Sequence, residues 1–323
     1  MSANVCHSLT VATLTVKVDT HTGTQMLKDL QTWLTPPDPS INHRNARETW
    51  HNETSTWFTQ HNTFRDWKNK GSLLWIRGNS TPLPPILHLW LLTPSPITQR
   101  VQAKAFFGKL SFFILVMKDL MFSVSSAIIE DVKKNSTKEK SALVAYYYFD
   151  FKDASKRHLR GLLASILFQL SSNSGRCRDV LHQLYKTCRE GSARPSDADL
   201  AKCLKSMVRL SEEHQVFIII DAFDECPSST GTPSAREEVL GFVTDLVGSK
   251  QSNLFVCVTS RLEQDIQTTL DPLTPRRVSL QDERGQRDDI KCYVNSVVDK
   301  MKKWRKEDKE LVINTLTERV SAT

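Results

Sequence analysis

The sequence predicts an α/β fold in which a mostly parallel sheet of five strands is flanked by helices. Five short apolar segments, rich in β-branched or aromatic residues, have the length of strands, and helical patterns separate most of them. The most apolar segment is 216–220, which lies between a polar stretch and a group of acidic residues. A continuous apolar run of this length is typical of a strand buried on both faces of a parallel sheet.

Strands and helices alternate along the chain. The predicted strands are 73–78, 143–149, 216–220, 254–261 and a weaker one near 278–280. Apolar residues recurring at i, i+3 and i+4 predict helices, chiefly at 125–134, 160–170, 179–185, 197–210, 235–247 and 288–300. Ser196 is expected to cap the helix that begins at Asp197, because a serine oxygen accepts hydrogen bonds from the first helical turn. This alternation predicts parallel strands.

Composition narrows the class of protein. The 323 residues are 39% hydrophobic and 24% charged, which is ordinary for a soluble globular protein of one large or two smaller domains. The net charge is +7, and residues 79–124 supply three of these charges. Because no basic stripe with interleaved aromatic residues occurs, nucleic acid is not expected as a partner.

Location and packing are also predicted. The seven cysteines form no CxxC pair and the amino terminus lacks a signal peptide, so a reduced, cytoplasmic protein is expected. The apolar run at 105–117 is shorter than the roughly 20 residues of a membrane span, so no stable span is expected.

Tryptophans are dense near the amino terminus and are expected to anchor a small helical region by packing; they are Trp33, Trp50, Trp57, Trp67 and Trp75.

Three carboxylates follow the most apolar strand. They are Asp221, Asp224 and Glu225, all within five positions. Ligands of open α/β sheets bind outside the carboxyl ends of the strands, so these side chains are expected where a ligand would lie. The alternative is that they only cap the helix that follows, since acidic residues are common in turns. Their number and position favour a metal or general-base role.

Two segments, 218–226 and 258–261, resemble the Walker B and sensor strands of NACHT-type signal-transduction P-loop ATPases. The resemblance is to the nephrocystin-like amino-terminal module of fungal multidomain proteins, and it extends over about 27–78 and 125–320. It implies a P-loop NTPase-like fold, binding of ATP and Mg²⁺, and a role as a nucleotide-binding signalling switch. Protein partners or self-association are also implied.

The resemblance further implies roles for individual residues. Asp221 would hold a magnesium ion, directly or through water. Asp224 and Glu225 would orient or deprotonate the attacking water, and Arg261 would sense the terminal phosphate. An ion pair with one of these carboxylates is the alternative for Arg261, because both roles use the same position at the end of a strand. Gly78 would open the phosphate-binding loop.

The chain departs from the family pattern after Gly78. The motif G-x-x-x-x-G-K-[ST] requires glycine, lysine and a hydroxyl residue where this chain has Leu83, Pro84 and Pro85. Proline has no amide proton, so this segment cannot form the usual cradle of backbone amides. The pair Gly108–Lys109 is the only other candidate and is a weak one, because leucine follows it where a hydroxyl is needed.

The resemblance resumes at Ser125, so residues 79–124 have the character of inserted sequence. Three origins stay open: an unspliced intron, a mispredicted gene boundary and genuine degeneration. The resemblance then divides the chain into a Trp-rich helical extension at 1–70, a NACHT nucleotide-binding core at 71–281 and the start of a truncated helical lid at 282–323. The expected function is a nucleotide switch with impaired ATP binding. A non-catalytic interaction scaffold is the alternative, and catalysis is left open.

Overall fold

A computed structural model describes residues 23–49, 56–78, 121–134, 142–229 and 231–280, together with positions 295, 306, 309 and 310. The amino-terminal part contains four helices: α1 at 23–34, α2 at Ser40–Thr49, α3 at Thr56–Gln60 and α4 at Asn62–Lys70. The predicted helix at 288–300, apart from position 295, and residues 79–120 lie outside the described part of the chain.

The remaining elements follow the predicted order. The strands are β1 (Ser72–Gly78), β2 (Ala142–Tyr148), β3 (Gln215–Asp221), β4 (Leu254–Arg261) and β5 (Arg277–Ser279). The helices are α5 (121–134), α6 (Leu159–Asn173), α7 (Gly175–Thr187), α8 (Asp197–Leu210), α9 (Ala235–Gly248) and α10 (Gln264–Leu270). Ser196 caps α8 as predicted, in a reciprocal capping box with Asp199.

The five strands form one sheet in the order β2-β3-β4-β1-β5, and every neighbouring pair is parallel. The predicted parallel α/β sheet is therefore confirmed. Because all strands run in the same direction, their carboxyl ends lie at a single edge of the sheet. Strand β3, which carries the acidic residues, lies between β2 and β4 and is covered on both faces.

Helices cover the two faces of the sheet unequally. Helices α1 and α6–α10 pack on one face, against strand residues that include Trp75, Tyr147, Ile218, Ile220 and Val256. Helices α3–α5 pack on the opposite face, against Ile76, Tyr148, Phe217, Ile219 and Cys257. The connection from β1 to β2 runs towards the β2 edge of the sheet. The connections from β2 to β3, from β3 to β4 and from β4 to β5 run in the opposite direction. Right-handed crossovers therefore place α5 and the later helices on opposite faces.

Trp33 and Trp67 pack the amino-terminal helices against the rest of the chain, as predicted; Trp50 and the side chain of Trp57 lie outside the described residues. The Trp33 indole of α1 donates to the Ala193 carbonyl at 3.0 Å and meets Tyr185 edge-on at 5.3 Å. Trp67 of α4 is fully buried against the rings of Phe217 and Phe255. The helices of this region are therefore packed onto both faces of the sheet.

Among the described residues, no helix combines the length and the apolar character needed to cross a membrane. The apolar segment at 105–117 lies outside that part of the chain.

The outer edge of β2 is closed by a side chain. Gln169 of α6 accepts a hydrogen bond from the Tyr146 N–H at 3.1 Å and donates to the Tyr146 carbonyl at 2.8 Å. These two bonds replace those that a neighbouring strand would make at this position. Gln169 therefore protects part of an edge that could otherwise pair with another chain.

We expect Gln169→Ala to lower the free energy of unfolding by about 1–3 kcal/mol, because both Tyr146 backbone groups lose their partner. Urea denaturation measures this change. The matched control is Asn173→Ala on the same helix, whose exposed amide bonds only to the helix backbone. The control should change stability by less than about 0.5 kcal/mol. Equal effects of the two substitutions would contradict the role assigned to Gln169.

Candidate functional site

The candidate site lies in the turn that leaves β3. Ala222 adopts a left-handed conformation, with φ 54° and ψ 43°, and a 3₁₀ turn at Phe223–Glu225 follows. This conformation costs a residue with a side chain roughly 1–2 kcal/mol. The Ala222 N–H donates to Thr259 Oγ1 at 3.1 Å, which holds the turn against β4. The chain therefore changes direction directly after Asp221.

Asp221 is buried beneath the edge of the sheet, with 1% of its surface exposed. Its Oδ1 accepts hydrogen bonds from Ser125 Oγ of α5, at 2.5 Å, and from Thr259 Oγ1 of β4. Its Oδ2 is also buried and has no hydrogen-bond partner among the described residues. One oxygen of this carboxylate is thus fully used by the protein, and the other is available to a further donor or cation.

Burial raises the pKa of Asp221 from 3.8 to about 7, and the hydrogen bonds from Ser125 and Thr259 oppose this rise. The negative charges of Asp224 and Glu225 add to the elevation. Near neutral pH the carboxyl group therefore exists in both protonated and ionised forms. Binding of a cation at Oδ2 would favour the ionised form.

Asp224 is paired with Arg261 at the end of β4. The Arg261 Nε lies 2.6 Å from Asp224 Oδ2, and the Arg261 backbone N–H donates to Asp224 Oδ1 at 2.9 Å. The Asp224 side chain is only 6% exposed, whereas that of Arg261 is 50% exposed. The ion pair that was the alternative for Arg261 is therefore confirmed.

Glu225 points to a different neighbour. Its Oε2 accepts a hydrogen bond from the Phe151 N–H, at 3.2 Å, in the loop that follows β2. The turn thus separates its two outer carboxylates. Asp224 faces β4, while Glu225 faces the loop after β2.

Sequence reasoning missed Arg236, the buried arginine that holds the acidic turn. It donates from Nε to the Cys226 carbonyl at 2.9 Å and from a terminal nitrogen to the Asp224 carbonyl at 2.7 Å. It also forms an ion pair with Asp265 of α10 at 3.2 Å. One signal was available, because an arginine in the first turn of α9 opposes the helix dipole and needs another reason to be there.

Gly78 lies at the carboxyl end of β1, beside β4. A methyl group on its Cα would come within 3.0 Å of Met121 Sδ, in the first described turn of α5. An apolar thioether therefore packs against the residue expected to open the phosphate loop. Leu83, Pro84, Pro85 and the Gly108–Lys109 pair lie outside the described residues.

The residues fit magnesium and nucleotide only in part. Asp221 Oδ2 is a suitable oxygen ligand for Mg²⁺ or for one of its water molecules. Within the described ranges, however, no group of three or more His, Cys, Asp or Glu side chains could hold a metal ion. The remaining ligands would have to be water and phosphate oxygens. Arg261, the cation expected to contact a phosphate, lies at the end of β4 and is engaged by Asp224.

Asp221→Asn should make stability less sensitive to pH. The folded state holds its proton more tightly than the unfolded chain, so wild-type stability falls as pH rises from about 4 through 7. A pKa raised from 3.8 to about 7 corresponds to a loss of about 4 kcal/mol in the free energy of unfolding at pH 8, relative to low pH. Because asparagine cannot ionise, the variant should not show this loss. Urea denaturation of both proteins between pH 4 and pH 8 tests this.

A control of opposite sign is Asp199→Asn in the capping box of α8. The hydrogen bonds from Ser196 lower the pKa of Asp199, so this substitution should remove stability that is present above about pH 4. Parallel stability curves for wild type and Asp221→Asn would refute the assignment of a buried, titrating Asp221.

Residues 123–261 match the family model described as Nephrocystin 3, N-terminal. The match begins within α5, at the end of the atypical segment, and includes Asp221, Asp224, Glu225 and Arg261. No curated protein matched the chain. The resemblance to a nephrocystin-like N-terminal module that was drawn from the sequence is thus confirmed over residues 123–261, which are similar to this family.

Proposed function

We propose that this chain is a NACHT-type nucleotide-binding signalling switch, of P-loop NTPase ancestry, whose ATP binding is impaired. The observation that carries the proposal is the buried Asp221, with one oxygen held by Ser125 and Thr259 and the other without a partner among the described residues. A protein that did not use this oxygen would gain stability from a neutral residue, since burial of a carboxylate is costly. Asp221 therefore supports a metal-binding role.

The impairment is proposed from the segment after Gly78. The prolines at 84 and 85 replace a lysine and a hydroxyl residue and cannot supply two of the amide donors of a phosphate loop. Met121 adds an apolar contact against Gly78. The proposed site thus has a carboxylate that could bind the metal, but the sequence after Gly78 lacks the phosphate-loop motif.

The charged residues of the site have three tasks in this proposal. A bound Mg²⁺ would neutralise phosphate charge, and Asp221 would hold it through Oδ2. Asp224 and Glu225 would orient or deprotonate the attacking water molecule. Arg261 would contact the terminal phosphate only after leaving Asp224, so nucleotide binding would exchange one charge-assisted contact for another.

A second candidate function is a non-catalytic protein-interaction scaffold. The specific observation in its favour is that Asp224 and Arg261 neutralise each other at 2.6 Å. In this arrangement the groups needed for chemistry serve to close the turn. A scaffold predicts complexes whose stability does not change when nucleotide is added.

Calorimetric titration with MgATP tests the first proposal. The chain as it stands should give no heat of binding, or a Kd at least about 100-fold weaker than a loop-restored variant, a difference of about 2.7 kcal/mol. In that variant the remainder of a G-x-x-x-x-G-K-[ST] loop that begins at Gly78 replaces residues 79–124. A matched variant with alanine for the loop lysine separates restored phosphate contacts from the effect of removing the segment. Micromolar affinity in the unaltered chain would overturn the proposal.

Asp221→Asn in the loop-restored variant should abolish ATP turnover while the protein stays folded, because an amide is a poorer magnesium ligand than a carboxylate. Phosphate release measures turnover, and circular dichroism checks the fold. Turnover that survives the substitution would refute the role of Asp221. Sequencing the transcript across codons 78–125 decides separately whether the atypical segment belongs to the protein.

A further inference from the structure

Among the side chains of helix α2 that the structure describes, His43 is the buried polar one. The imidazole is 6% exposed; its Nδ1 lies 3.0 Å from the Tyr148 hydroxyl of β2 and its Nε2 lies 3.2 Å from Glu130 Oε1 of α5. The ring also packs against Tyr146, with the ring centres 4.9 Å apart. Both nitrogens of the imidazole are therefore used by elements of the core.

The rest of α2 contributes little burial. Among its residues whose side chains the structure describes, His43 and Ala46 are buried, and Ile41 is 51% exposed. Asn42 accepts a hydrogen bond from the Lys156 ammonium at 2.6 Å. A helix with so few buried contacts opens more easily than the sheet beneath it. The state of His43 can therefore decide whether α2 stays docked.

The environment of His43 is built for a neutral imidazole. In the neutral ring, Nε2–H donates to Glu130 and Nδ1 accepts the Tyr148 hydroxyl proton, so every polar group is satisfied. Protonation turns Nδ1 into a second donor, and the Tyr148 hydroxyl then has to turn its own proton away. Burial raises the pKa of Tyr148 well above its usual value, so the tyrosine does not ionise in compensation.

Neighbouring charges shift the pKa of His43 in both directions. Burial lowers the pKa of His43 below 6.5, the hydrogen bond to Glu130 opposes this, and the positive charges of Lys133 and Arg47 reinforce it. These groups, together with Tyr146 and Tyr148, are those that face the imidazole from α2, α5 and β2. The docked helix therefore binds a proton at His43 less readily than the undocked helix.

We propose that His43 is a pH-dependent latch, which keeps α2 on the edge of the core when the imidazole is neutral and releases it when the imidazole is protonated. The latch goes beyond the proposed nucleotide switch and does not depend on it. Because the proton binds more tightly to the undocked form, docking is strongest above pH 6.5 and weakens as pH falls. At pH 5 the docking equilibrium can weaken by at most about 30-fold, since each pH unit contributes at most a factor of ten.

Release of α2 would be felt at the candidate site. Tyr148 is the register partner of Asp221 across β2 and β3, and its hydroxyl is the group that His43 engages. An undocked α2 leaves this hydroxyl, on the residue paired with Asp221, without its imidazole partner.

Hydrogen exchange of the full-length chain, measured by mass spectrometry between pH 5 and pH 8, tests the latch. Protection factors, which correct for the intrinsic pH dependence of exchange, should fall in residues 40–49 of the wild type as pH is lowered below about 6.5. Over the same range protection of the sheet should not fall, because protonation of Asp221 stabilises the core as pH is lowered. His43→Gln should remove this dependence, because glutamine does not titrate. His158→Gln, at an exposed histidine that precedes α6, should behave as the wild type.

Two further variants keep the test decisive if His43→Gln does not fold. Glu130→Gln removes the charge that favours protonated His43, so the loss of protection at pH 5 should increase. Lys133→Met removes a charge that disfavours it, so the loss should decrease. A larger loss of protection in Glu130→Gln together with a smaller loss in Lys133→Met supports the latch. A wild type whose α2 protection does not change with pH, or equal shifts in both variants, would overturn it.

Discussion

The rest of the candidate site depends on one buried carboxylate at the end of β3. Asp221 is held from the α5 side by Ser125 and from the β4 side by Thr259, and its second oxygen has no partner among the described residues. These two hydroxyls position the side chain but do not cancel the cost of burial, so its pKa remains near 7. The same carboxylate therefore joins a helix to two strands and leaves one oxygen for a cation.

The acidic turn that follows Asp221 is held by two arginines. Arg236 binds the carbonyl groups of the turn, and Arg261 binds the Asp224 carboxylate from the neighbouring strand. These contacts satisfy two backbone carbonyls of the turn and the charge of Asp224. A ligand that required Arg261 would have to replace its contact with Asp224, which gives the proposed switch a closed form built from the chain's own residues.

Much of the fold could be predicted because each element carries a local signal. Strands β3 and β4 are continuous apolar runs, Ser196 and Asp199 mark the start of α8, and the alternation of strands and helices predicts parallel pairing. At the site, the acidic residues could be found from their position after a strand. Arg236 could not, because its partners are backbone carbonyls and a carboxylate that only the folded chain brings together.

The sequence by itself determined the strands and most of the helices, the family resemblance at residues 123–261 and the absence of a G-x-x-x-x-G-K-[ST] motif after Gly78, because all of these depend on local residue patterns. Tertiary structure decided which groups meet. Ser125 and Asp221 are 96 positions apart, and His43 and Tyr148 are 105 apart, yet each pair forms a hydrogen bond. The strand order β2-β3-β4-β1-β5 produces such contacts, because it places strands that are distant in the chain side by side and closes helices over them.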